Sequence, residues 1–261
     1  MPEPAPPAAP APATPPAPAT PPAPATPPAP PTPPAPPPEI GFFDKWTGSV
    51  EAGLNTASGN SDRLSLRFGL GLRRETPETI TTINTTYNYA RNNNGLSEDR
   101  ARIDTRNDWI QQTGSGWRYF IAGSGEYERF QSWDWRVGVN GGLGYDLIKD
   151  DTFTLVGRAG FGGSREYGQL SRGVRAELTP GFDFQWKIDE RSKFTAGFDY
   201  FRDLDEFDVY RFVARAAYDV LLDTKSNLTL RVGIEDRYDE TATSPRDKND
   251  FELFTALVFR F

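Results

Sequence analysis

Arg63-Leu64-Ser65-Leu66-Arg67-Phe68-Gly69-Leu70-Gly71-Leu72-Arg73 alternates with a period of two residues. Successive side chains of an extended chain point to opposite sides. Leu64, Leu66, Phe68, Leu70 and Leu72 therefore share one face, and Arg63, Ser65, Arg67, Gly69, Gly71 and Arg73 share the other. Helical spacing would scatter these leucines around a cylinder. The run reads as one two-faced strand, apolar on one side and basic on the other.

The same period recurs on both sides of this run. It predicts twelve strands, over 46–55, 63–73, 80–91, 100–112, 117–129, 135–148, 152–163, 175–187, 193–202, 209–221, 227–238 and 250–261. Bacterial single-chain barrels have an even strand number. The expected fold class is all-β, a 12-stranded antiparallel transmembrane β-barrel over residues 46–261. A Pro/Ala/Thr-rich extension or linker over 1–45 precedes it.

Alternation alone also suits a soluble barrel, whose apolar face points inward. Two features favour a membrane. Trp46, Trp117 and Trp135 start expected strands, Trp109 and Trp186 end them, and all five lie on the apolar face. Such rings form the girdles at the two bilayer interfaces. The turns at 75–78, 113–116, 149–151, 188–192 and 223–226 are short. The connections at 56–62, 92–99, 164–174 and 239–249 are longer and polar, with 130–134 and 203–208 as short exceptions. Short periplasmic turns and longer outer loops follow this rhythm. With the N-terminus inside, an even count returns the C-terminus inside too, so both the N-terminal tail and the C-terminus are expected in the periplasm.

Composition narrows the chemistry. The chain has no His and no Cys, which removes the commonest general base, imidazole and thiolate metal ligands, and the thiol nucleophile. No cofactor is expected. The net charge of −7 argues against a nucleic-acid partner. No apolar stretch is long enough for a membrane-spanning helix. Met1 leads straight into Pro-Glu-Pro without a secretory signal, so the barrel reading expects an export signal to have been removed.

Within the first 38 residues, Ala13-Thr14-Pro15-Pro16-Ala17-Pro18 recurs at Ala19, at Ala25 and, with one change, at Pro31. Proline lacks the N–H that helix or sheet requires, so a disordered or polyproline II extension is expected. At about 3.1 Å per residue it would reach roughly 110–120 Å, a length suited to crossing the periplasm. It reads either as a spacer or as a tether to the cell wall or a periplasmic partner.

With the apolar face toward lipid, the other face lines the lumen. The candidate lumen charges are Arg63, Arg67, Arg102, Asp104, Arg106, Asp108, Glu126, Arg136, Arg158, Asp183, Arg211, Arg215, Arg231 and Glu235. Balanced signs suggest Arg–carboxylate ladders between neighbouring strands rather than a strongly selective ring. Asp104 with Asp108, or Glu126 with Glu128, could serve acid–base work, but each is better explained as a partner of arginine. The chain is not expected to be an enzyme. Phe251, Leu253, Leu257, Phe259 and Phe261 form one row, and its last two aromatics, Phe259 and Phe261, resemble the signal read by the barrel assembly machinery.

Trp46-Thr47-Gly48-Ser49-Val50, then Gly53-Leu54, then Thr56-Ala57-Ser58-Gly59-Asn60-Ser61-Asp62 resembles the opening hairpin of the DUF481 family. One of its members is an outer-membrane protein of enteric bacteria described as salt-induced. The resemblance implies a Gram-negative outer-membrane barrel over 46–261, without an established activity, and carries no site residues. The Pro-rich leader lies outside the family core. Gly59-Asn60 also fits a tight strand connection on backbone grounds. The expected role is structural or envelope-organising, in contact with outer-membrane lipid and with homo-oligomers allowed. The alternative is a porin-like small-solute channel with a charged lumen.

Overall fold

A computed structural model describes residues 41, 44–57, 63–111, 114–168, 173–242 and 248–261, with the backbone alone described at 55–57 and 63. The Pro-rich extension and Gly59-Asn60 lie outside the described residues. Thirteen strands follow one another: β1 Trp46–Ala57, β2 Arg63–Glu75, β3 Thr79–Asn92, β4 Gly95–Ile110, β5 Trp117–Glu128, β6 Trp135–Lys149 and β7 Phe153–Tyr167, then β8 Arg175–Leu178, β9 Gly181–Lys187, β10 Ser192–Asp203, β11 Tyr210–Asp223, β12 Leu228–Asp239 and β13 Asn249–Arg260.

Neighbours pair antiparallel, and β1 pairs with both β2 and β13, which closes the ring. β8 and β9 both lie between β7 and β10, so they are two halves of one barrel strand. Pro180 divides them because it has no N–H to give the ladder. The wall still holds there: the Thr179 N–H donates to the Gly160 carbonyl at 2.8 Å, and the Pro180 carbonyl accepts from Tyr200 at 3.0 Å. The ring is thus the twelve-stranded barrel that the alternation predicts.

The chain is inside out relative to a water-soluble protein. Leu54, Phe161 and Leu253 on the outer face are 62%, 65% and 64% exposed, whereas Glu51, Arg67, Asp108, Arg118 and Glu126 are buried. An apolar surface this continuous needs a hydrocarbon surrounding. Trp109, Trp117, Trp135 and Trp186 stand exposed at strand ends. Trp117 meets Tyr145 at 4.9 Å between ring centroids, and Tyr127 meets Trp135 at 5.1 Å.

Two loop expectations change. β4 starts at Gly95, so the connection expected over 92–99 shrinks to a two-residue turn at Asn93-Asn94. Gly95 has φ of 114°, a value that glycine tolerates and other residues do not. Conversely, the turn expected over 113–116 spans 111–116. The contrast between the two ends of the barrel is therefore weaker than the rhythm suggests.

Glycines on the inner wall of β6 and β7 let the strands approach closely. A Cβ on Gly162 would lie 2.2 Å from the Val139 carbonyl oxygen. The last residue completes the ring: Phe261 donates to the Gly48 carbonyl at 2.9 Å and accepts from the Gly48 N–H at 2.8 Å. Its ring lies over Gly48, where a Cβ would come within 2.3 Å of it.

Candidate functional site: the charged lumen

The inner face of each strand carries the charges, and the ring brings them together. Arg67 contacts Glu51 at 2.8 Å, Asn88 at 3.3 Å and Glu252 at 3.5 Å, with its guanidinium 4.0 Å from the Phe254 ring centre. Arg102 holds Asp104 through two bonds of 2.6 and 2.8 Å and lies 3.8 Å from Glu126. Arg106 holds Asp108 at 3.0 Å and Asp183 at 2.9 Å. Arg158 joins Asp183 at 3.2 Å and Asp199 at 3.1 Å, and Arg215 also binds Asp199. Arg211 reaches Glu177 at 2.9 Å and stacks 3.7 Å above Phe201. Arg231 grips Asp219 at 2.7 and 2.9 Å and Glu51 at 2.7 Å. Glu235 lies 4.0 Å from both Arg67 and Arg237. Of the candidate residues, the side chain of Arg63 lies outside the described ones. Phe259 and Phe261 sit on the outer face, 46% and 63% exposed, their ring centroids 6.3 Å apart.

Some of these contacts join neighbouring strands, as a ladder would. Others cross the lumen. Arg237 of β12 binds Glu126 and lies 3.5 Å from Glu128, both on β5, and β5 and β12 face each other across the ring. Arg136 of β6 holds Glu166 at 2.6 and 3.0 Å and also Asp239 of β12. Arg100 of β4 reaches Asp250 at 2.9 Å and Glu252 at 3.1 Å on β13. Trp133, from the loop between β5 and β6, folds inward until 2% of it is exposed, and Arg136 stacks 4.3 Å from its ring centre. All of these groups lie toward the end away from Trp46 and Phe261, and among the described residues they span the lumen there. Beside these contacts lies a cavity of about 420 Å³, whose lining includes Glu51, Arg102, Asp104, Arg158, Asp199 and Arg215.

Most of this cluster follows the alternation. Arg237 and Asp250 fall on the inward face of the expected strands 227–238 and 250–261, and Asp239 continues the same period just past the first of them. Trp133 stands in a loop, where no periodicity marks it.

The family described as "Protein of unknown function, DUF481" matches residues 50–261. No curated protein matches the chain. Among solved structures, the COG4313 outer membrane channel from Pseudomonas putida F1 is similar over 85% of this chain and 100% of its own, at 10% identity and a TM-score of 0.50. The NanC porin is similar over 82% of this chain and 97% of its own, at 8% identity and a TM-score of 0.47.

Proposed function

The chain belongs to the DUF481 family, and on that premise we propose that it is an outer-membrane barrel with a structural, envelope-organising role and a lumen closed at rest. One observation carries this reading: Arg237 spans the ring to Glu126 and Glu128. A diffusion pore needs a continuous water path, and buried ion pairs between opposite walls remove it. In this reading both termini are periplasmic. Residues 1–38 extend toward the cell wall or a periplasmic partner, Phe259 and Phe261 serve recognition by the assembly machinery, and no residue has a catalytic role.

The barrel reconstituted in a planar bilayer is expected to be silent. Steady open-channel current in the unmodified protein would reject the closed reading and favour the small-solute channel, for which the charged cavity of about 420 Å³ is the specific support. The tail is tested separately, by deleting residues 1–38 and measuring association with cell wall. Unchanged association would remove the tether.

A further inference from the structure

Two lysines meet at the end of the lumen where β1 starts and β13 stops. Lys187 of β9 and Lys193 of β10 are directly opposed in the register. They face inward, because Lys187 is two alternations beyond Asp183, which binds Arg106 and Arg158 inside the lumen. Directly opposed like charges destabilise an antiparallel pair. The register also sets Lys193 against Asp219. Asp219, however, is committed elsewhere: Arg231 takes both its oxygens, and Arg260 binds one of them at 2.7 Å.

Asp219, Arg260, Arg231 and Arg73 are among the charged groups around Lys193. Arg73 comes from β2 on the far wall and is itself held by Glu75 at 2.8 Å. Glu51 takes the remaining arm of Arg231. Three arginines thus surround Lys193, and the one carboxylate opposite it in the register, Asp219, is already shared by two of them. Among the described residues, neither lysine ammonium has a hydrogen bond or an ion pair. Lys187 is exposed at the rim and Lys193 half-buried behind it, so the pair is reachable from that end. Low-dielectric walls focus the field of such a cluster on an entering ion.

We propose that Lys187 and Lys193, backed by Arg231 and Arg260, form a binding site for a compact dianion at the terminal end of the lumen. The lysines face inward, so the ligand is a soluble anion rather than a lipid headgroup. A dianion offers one negative charge to each of the opposed lysines and relieves their repulsion. The site does not depend on whether the lumen conducts.

Calorimetric titration of the full chain in detergent, with inorganic phosphate near pH 8 and ionic strength held with chloride, tests this. Saturable binding is expected. Lys187→Gln/Lys193→Gln should weaken it about tenfold or more, the loss expected for a charge-assisted hydrogen bond. Lys225→Gln, in a turn outside the lumen, should leave it unchanged. Should the double variant fail to fold, as judged by unheated gel mobility, Lys187→Gln alone at the exposed rim must show the weakening. No saturable binding beyond the chloride control, or equal binding by the lysine variants, would overturn the proposal.

Discussion

Replacing Arg237 by alanine tests the closure directly. The arginine binds Glu126 and lies 3.5 Å from Glu128, whose side chains are 5% and 2% exposed. Its loss leaves two carboxylates on one wall in a place that water barely reaches. Removing one partner of a buried ion pair costs about 3–5 kcal/mol, because the other charge stays buried without compensation. Arg102, 3.8 Å from Glu126, retains part of the compensation, which places the expected loss near the lower bound, about 3 kcal/mol. Adding Glu126→Gln and Glu128→Gln to Arg237→Ala removes both carboxylate charges and should restore about 2 kcal/mol. Urea unfolding of the barrel in detergent, followed by tryptophan fluorescence and unheated gel mobility, measures both steps. The reasoning fails if Arg237→Ala unfolds within about 0.5 kcal/mol of the parent, or if the triple variant is no more stable than the single one.

Trp133→Ala should cost about 3–5 kcal/mol in the same titration, because a fully buried indole and the stacked face for Arg136 are lost together. Gly162→Ala would drive a Cβ against the Val139 carbonyl and should destabilise by about 1–3 kcal/mol, whereas Gly173→Ala, with open space around it, should be neutral. In the turn after β6, Asp150 accepts from the backbone N–H groups of Phe153 at 2.6 Å and Thr152 at 2.8 Å, which hold its carboxyl below the usual range. Its stabilisation is therefore present above about pH 4 and fades as pH falls through the depressed folded value. Asp150→Asn should remove that part of the acid dependence of the melting temperature, and an unchanged pH profile would count against the turn.

Most of the wall is legible in the chain because lipid imposes alternation. Arg63–Arg73 fixes both a strand and its orientation, since one face must be apolar. The legibility stops where the lipid stops. Gly95-Leu96-Ser97-Glu98-Asp99 continues β4 with both faces polar or mixed, so nothing in it distinguishes a projecting strand from a loop. The site was readable in the same partial way. Period two states that Arg237 and Glu126 face inward, but not that they meet, because it gives the face of a residue and not its position around the ring. Trp133 lies further out of reach: its burial depends on a loop folding over a lumen that exists only once twelve strands have closed.

The closing pair has a consequence for the mechanics of the ring. Among the described residues, β1 and β13 register at Ser49–Ala52 with Leu257–Arg260, extended by Gly48 and Phe261, whereas β1 and β2 register along all of Trp46–Ala57. A barrel under tension is a hoop, and a hoop yields at its shortest joint. This one is expected to unzip between its first and last strands before any hairpin gives way, with Phe261 in the last stitch. Side chains carry the rest of that joint: Arg67 of β2 reaches past β1 to Glu252 of β13, a rivet from the second plank to the twelfth.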